Sequence, residues 1–241
     1  MSSELRPLSA VPFWLCALLA LALGLQIASR LASPVLRESA DLPPPPRPET
    51  LRLASLAEEP AAARLAMLYL QAFDYRGSNR IPYQKLDYGR LIGWLDAILA
   101  LDPRSDYPLF SAARIYAENT DSARSRQMLE YVYRAFLDDP NRRWPWLAHA
   151  ALLAKHRLND LPLALRYAEA VQRHTTDPNV PSWAKQMPIF ILEDMNELEA
   201  ARTMIVSLLE SGRIHDPAEI RFLKERLQEL AARQARQARQ R

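Results

Sequence analysis

The dipeptide Asp-Pro recurs at Asp102-Pro103, Asp139-Pro140, Asp177-Pro178 and Asp216-Pro217, and the steps between successive prolines are 37, 38 and 39 residues. Each interval holds enough Leu/Ala-rich sequence for two short amphipathic helices. A fixed period of this size marks a helical-hairpin repeat, in which one unit buries its apolar face only when a neighbour stacks on it.

Composition supports an all-helical chain. With 49% hydrophobic and 24% charged residues the bulk can bury a core, and there are only five glycines in 241 residues. Folds built on tight glycine turns or phosphate cradles are disfavoured by that scarcity. Lysine occupies only Lys85, Lys155, Lys185 and Lys224 among 31 basic residues, an Arg-heavy balance that points to a GC-rich, bacterial genome. The net charge of +3 is too small to imply nucleic acid. A single cysteine, Cys16, excludes an intrachain disulfide or a cysteine-based metal site, and Phe13-Trp14-Leu15 before it do not form a lipoprotein cleavage box.

Residues 7–29 carry no charge and lie between Arg6 and Arg30. A transmembrane helix needs about 20 mainly apolar residues, so the expectation is a single-span anchor over 11–30 after an N-terminal tail, 1–10. The competing reading is a cleaved signal peptide, whose apolar region is ~7–15 residues; Arg30 interrupts the cleavage context around Ala28 and Ala32. The expected location is the bacterial inner membrane. The flanking arginines, Arg6 against Arg30, Arg37 and Arg47, favour a cytoplasmic domain. The common export of a large domain behind a short tail favours the periplasm, the side narrowly preferred.

Residues 31–55 form a Pro-rich linker. Pro34, the run Pro43–Pro46 and Pro48 favour extended polyproline II, read as a stiff spacer with a PxxP ligand for an SH3-like domain as the alternative. The helical-repeat domain is expected over 56–217. Its hairpins are 58–73 with 85–101, 107–118 with 121–137, 143–158 with 161–174, and 182–194 with 197–210. Asp121 and Asp160 are suited to cap the helices they precede, Gly212 closes the fourth hairpin, and Pro188 should kink or split its helix. A last helix from 218, within 218–241, carries Ile220, Leu223, Leu227 and Leu230 at helical spacing and covers the open end of the stack.

Paired helices, small residues at crossing positions (Ala150, Ala154, Ala164, Ala168, Ala200, Ala201), and closing phrases such as Trp94-Leu95-Asp96-Ala97-Ile98-Leu99-Ala100-Leu101-Asp102-Pro103 resemble the tetratricopeptide superfamily over roughly 58–217. The period is longer than that family's, and the glycine of its first helix is missing. The resemblance implies an α-solenoid of about four hairpins plus a capping helix, a groove that binds protein segments, and no catalytic activity.

Arg142, Arg143, Trp146, His149, His156 and Trp183 are the candidate partner-binding residues. Arginines pair carboxylates in a bidentate way, so this set suits an acidic or C-terminal peptide. Against that stands a packing role, with the tryptophans filling gaps between hairpins and the histidines edging the core. His149 and His156 lack further ligands for zinc, and His174 and His215 sit alone at helix ends; no metal or cofactor is expected. The acidic pairs Glu58-Glu59, Asp138-Asp139 and Glu193-Asp194 read as helix ends rather than acid–base pairs. Tyr69, Tyr75, Tyr83 and Tyr88 surround the loop 74–83 and read as packing residues rather than a ligand box. The Arg-rich tail, 231–241, is either a frayed helix end or a dock for anionic lipid or phosphate; without interleaved aromatics, nucleic acid is disfavoured.

The function this supports is a non-enzymatic, membrane-anchored scaffold that assembles a membrane or envelope complex with protein partners. One alternative is an accessory subunit whose membrane helix, with small residues Ala17, Ala20 and Gly24, forms part of the interface. Another is a surface binder acting through the tail.

Overall fold

The computed structural model describes residues 12–32, 42–75, 82–212, 214 and 216–240, and the described residues are helical or irregular, with no strand among them. Helix α1 runs Phe13–Ala32, and its described side chains are exposed. Among the described residues no helix is long and apolar enough to cross a membrane. The unbroken apolar stretch of α1 ends at Leu25, before Gln26, Ser29 and Arg30. At ~1.5 Å rise, residues 13–25 cover about 20 Å, short of the ~30 Å hydrocarbon core. The expected transmembrane anchor at 11–30, and the single-pass inner-membrane location built on it, are corrected by this finding.

The helices that follow are α2 (Pro48–Ala54), α3 (Glu59–Gln71), α4 (Tyr88–Leu101), α5 (Tyr107–Ser111), α6 (Ser122–Asp138), α7 (Pro140–His156), α8 (Leu161–His174), α9 (Ser182–Asp194), α10 (Leu198–Glu210) and α11 (Pro217–Gln240). Local chemistry explains their limits. Asp87 caps α4 by accepting from the Gly89 and Arg90 amides, and Asp121 and Asp160 cap α6 and α8 likewise. The turns within the third and fourth hairpins use Asn159 (φ 51°) and Asn196 (φ 62°), and Gly212 (φ 64°) follows α10. Asparagine and glycine tolerate this left-handed backbone best.

Two departures from the sequence expectation stand out within the helices. Pro188 lies inside a single continuous α9 and neither splits nor ends it. Helix α5 does not continue as an α-helix but passes into a π-helical turn, Ala112–Tyr116, closed by the Ala117 amide donating to the Ala112 carbonyl at 2.9 Å. The wider turn accommodates an inserted residue without breaking the helix.

From α2 onward successive helices pack on one another down the chain, and side-chain contacts sort them into two layers. Along the odd-numbered layer, Gln71 of α3 donates to the Tyr107 hydroxyl of α5, Phe110 of α5 meets Trp146 of α7 edge-on at 5.7 Å, and Trp144 of α7 meets Trp183 of α9 at 5.5 Å. In the even-numbered layer α4 packs on α6, and Tyr133 of α6 stacks on Tyr167 of α8 at 5.5 Å beside the Arg166–Glu130 ion pair. Between the layers lies a core rich in alanine: Ala148, Ala150, Ala151 and Ala154 of α7 face Ala164, Ala168 and Ala170 of α8, all buried. Small side chains let the helix axes approach closely, and the larger Leu95, Ile98, Met128, Phe136 and Leu147 fill the space beyond. Ala200, also placed at a crossing by sequence, is exposed instead.

Polar ladders stitch the repeats at both ends of the helices. At one end Arg143 donates to the Pro103 carbonyl, and Asn141 Oδ1 accepts from the Thr176 and Asp177 amides at 2.8 and 3.0 Å. The first three Asp-Pro turns are thus tied in succession. At the other end the Asn119 amide donates to the Gln84 carbonyl and to the Tyr88 hydroxyl, while Arg157 donates to the Asn119 carbonyl. Buried carbonyls left by the hairpin turns find donors this way, as they must.

Helix α11 closes the stack and extends well past Ala232. Buried Glu193 of α9 accepts from Arg226 Nε at 2.8 Å and from Arg233 at 3.2 Å. Arg202 donates to Gln234 and Gln237 donates to Asn196. The tail is therefore an ordered helix stitched along one side, not a frayed end, and Arg236 and Arg239 remain on its exposed side.

Residues 42–47 also depart from the spacer expectation. They lie extended across α4 rather than standing away from the repeats: Leu42 is fully buried, and Trp94 donates its indole N–H to the Pro43 carbonyl at 2.9 Å. The first part of the linker, 33–41, lies outside the described residues, as does His215.

Candidate functional site

Four of the six residues singled out from sequence fall on α7 between Arg142 and His149, and the structure separates them by environment. Arg143 is 5% exposed. Its guanidinium donates to the Ala135 carbonyl at 2.6 Å and to the Pro103 carbonyl at 3.2 Å, with the Asp138 carboxylate 3.5 Å away. It is a staple between hairpins and is not presented to a ligand. Arg142 is exposed and paired locally with Asp139 at 3.1 Å. The two arginines do not form a joint carboxylate clamp, because consecutive helical positions point about 100° apart.

Trp146 and His149, one turn apart, enter the seam between α5 and α7. Trp146 rests on Phe110, and its indole Nε1 is buried without a hydrogen-bond partner. His149 Nε2 is likewise buried and unpartnered. Burial holds the His149 imidazole below its ordinary pKa of 6.5; Arg114 pushes it the same way, and Glu118 opposes. At neutral pH the ring is uncharged, able to donate from one nitrogen and accept at the other.

Trp183 is 54% exposed and lies against Trp144 on the next helix of the layer. His156 ends α7 and is exposed. Next to His156, Lys155 forms an ion pair with Asp194, at the end of α9 opposite Trp183. Along the odd-numbered layer Trp146 turns toward α5, while Lys155, nine residues on and half a turn round α7, turns toward α9, and Arg143 is removed from that layer's face.

Sequence reasoning missed other members of this face. Leu65 and Leu68 on α3, Tyr107 and Phe110 on α5, and Leu152 on α7 are all exposed. Tyr107 and Phe110 stack at 6.1 Å. Their spacing of three at a helix start was the available signal, since such aromatics share one side. On the even-numbered helices the large apolar residues of comparable or greater exposure among the described residues are Leu53, Leu137 and Val206.

The tyrosines near the first connection divide differently. Tyr88 is buried and donates to the Tyr116 carbonyl at 2.8 Å, and burial raises its phenol pKa. Tyr69 and Tyr83 are half-buried, and the connection between Tyr75 and Pro82 lies outside the described residues. Beside Tyr88, a surface depression of about 480 Å³ is lined by Lys85, Asp87, Arg124 and Gln127. Arg124 there already donates to the Gln84 carbonyl and faces Asp121 at 3.5 Å. Among the described residues no group of three His, Cys, Asp or Glu is placed to hold a metal ion.

Comparison with family models, with curated proteins and with solved structures finds no match for this chain. The class of molecule defined by the fold is a stack of helical hairpins closed by a long terminal helix.

Proposed function

We propose that the chain is a protein-interaction scaffold of tetratricopeptide-like design, whose odd-numbered helices receive a peptide or helix from a protein partner. The observation carrying this reading is the asymmetry of the two layers. Leu65, Leu68, Tyr107, Phe110, Leu152 and Trp183 expose apolar surface along α3, α5, α7 and α9, against Leu53, Leu137 and Val206 on the even-numbered helices. An apolar strip rimmed by polar groups is costly in water and characteristic of a docking surface.

The rim supports recognition of an extended segment or amphipathic helix. The Lys155–Asp194 ion pair supplies charge at the end of α9 opposite Trp183, and Arg142 with Asp139 supplies it at the start of α7. Helix-in-groove binding uses such a strip for affinity and its polar edge for register. Chemistry on a substrate is not part of this reading. Its supports are the ordinary duties found for the charged groups, which cap helices, staple repeats or pair locally.

The test is the size of the native assembly. Leu152→Glu with Trp183→Ser, and as control Leu137→Glu with Val206→Glu, are expressed as full chains in the native host and resolved by native electrophoresis. The reading expects the first pair to release the chain from its assembly while leaving its melting temperature within a few degrees, and the control pair to leave the assembly intact. Retention of the assembly by the first pair would defeat it.

A further inference from the structure

We propose that the α3–α4 face is a recognition site for proline-rich peptides in polyproline II conformation, occupied in the resting chain by its own Leu42–Pro46 and open to the same chemistry from a partner. This site centres on Arg90, Gly93 and Trp94 of α4, borders the odd-numbered strip only at α3, and goes beyond the scaffold reading.

The ligand's chemistry is written in the segment already seated there. Four consecutive prolines, Pro43 to Pro46, hold the backbone extended and offer carbonyl acceptors but no amide donors. The surface beneath presents donors to them: Trp94 Nε1 reaches the Pro43 carbonyl at 2.9 Å, and Arg90 Nη1 reaches the Leu42 carbonyl at 2.8 Å. Tyr69 lies along Trp94, ring centroids 5.2 Å apart and planes inclined by 30°, so the two rings form an aromatic ledge. Aromatic ledges carrying an indole donor are the general solution for reading polyproline II.

Gly93 completes the match. A Cβ at that position would stand 2.6 Å from Pro45 Cγ, inside van der Waals contact. Glycine in a helix interior is less stable than alanine, and here its bare backbone is the seat of a proline ring. Leu42, fully buried, anchors the segment ahead of the prolines. The recognised pattern is therefore an apolar residue followed by prolines.

Tethering sets the regulation. A ligand on a short linker presents itself at an effective concentration of order millimolar. A free peptide with an intrinsic Kd of ~10 μM is then weakened roughly 100-fold by the resident segment, so the resting chain is closed to dilute ligand until the strap is displaced.

The test uses full chains and the peptide acetyl-Leu-Pro-Pro-Pro-Pro-amide, with acetyl-Leu-Gly-Gly-Gly-Gly-amide as control. The readout is the Trp94 indole N–H resonance, assigned by its loss in Trp94→Phe. In the variant P43G/P44G/P45G/P46G the proline peptide should shift this resonance saturably and at least tenfold more tightly than in the wild-type chain. The glycine peptide should not, and adding Gly93→Val should abolish the response. No response in the strap variant, or an equal response to both peptides, would overturn the proposal. If the fourfold variant loses its helical circular dichroism, Pro45→Gly alone replaces it under the same criteria.

Discussion

The Arg143 guanidinium donates to the Pro103 carbonyl at 3.2 Å, joining residues forty positions apart across two successive Asp-Pro turns. The same side chain satisfies the Ala135 carbonyl at 2.6 Å, so one buried cation fixes how consecutive hairpins abut. Arg143→Ala should destabilise the chain by about 2–4 kcal/mol, since each buried carbonyl left without a donor costs ~1–3 kcal/mol. Arg142→Ala removes only an exposed local pair and should stay within ~0.5 kcal/mol. Urea unfolding of the two variants checks this; equal losses would contradict the staple.

Ala57 lies in the left-handed region at φ 71°, next to Leu56 at φ 51°, in the turn between α2 and α3. A side chain there costs roughly 1–2 kcal/mol, which glycine avoids at some entropic expense. Ala57→Gly should raise stability by up to about 1 kcal/mol in thermal unfolding. A loss of stability would show that the backbone is not strained there.

Tyr131 is fully buried on α6, and its hydroxyl has no hydrogen-bond partner. Removing a buried, unsatisfied polar atom while keeping the ring should be neutral or stabilising by about 1 kcal/mol. Tyr131→Phe tests it; destabilisation beyond that size would mean that the hydroxyl is in use.

His149 binds its proton less tightly in the folded chain than when unfolded, because burial and Arg114 disfavour the imidazolium. The unfolded chain therefore takes up more protons once the pH falls below the ordinary 6.5. This contribution to stability is lost through that range and levels off when the folded ring also protonates. His149→Phe should show a shallower fall in melting temperature between pH 8 and pH 5 than the wild type, and parallel curves would contradict the assignment.

Much of the architecture was legible because the hairpins obey simple rules. Asp-Pro ends one hairpin and opens the next, Asp121 and Asp160 cap the helices they precede, and apolar residues recur at helical spacing. What was hidden depends on residues distant in sequence. Arg143 looks like any charged residue in a first turn; only the neighbouring hairpin's carbonyls make it a staple. Pro43–Pro46 read equally well as a spacer until Trp94 and Gly93, some fifty positions on, are seen beneath them. The apolar start of α1 suggested a membrane span because Gln26 and Ser29 were counted inside it, yet they end its apolar run. The π-helical turn in α5 has no compositional mark at all.

The most direct measurement is photo-crosslinking in the native host, with a photoreactive residue placed at Leu152 or Trp183 on the odd-numbered layer and at Leu137 or Val206 on the even-numbered one. The scaffold reading predicts a discrete protein adduct from the first two positions and none from the others. Adducts of equal yield from both layers, or from Leu137 and Val206 alone, would contradict it.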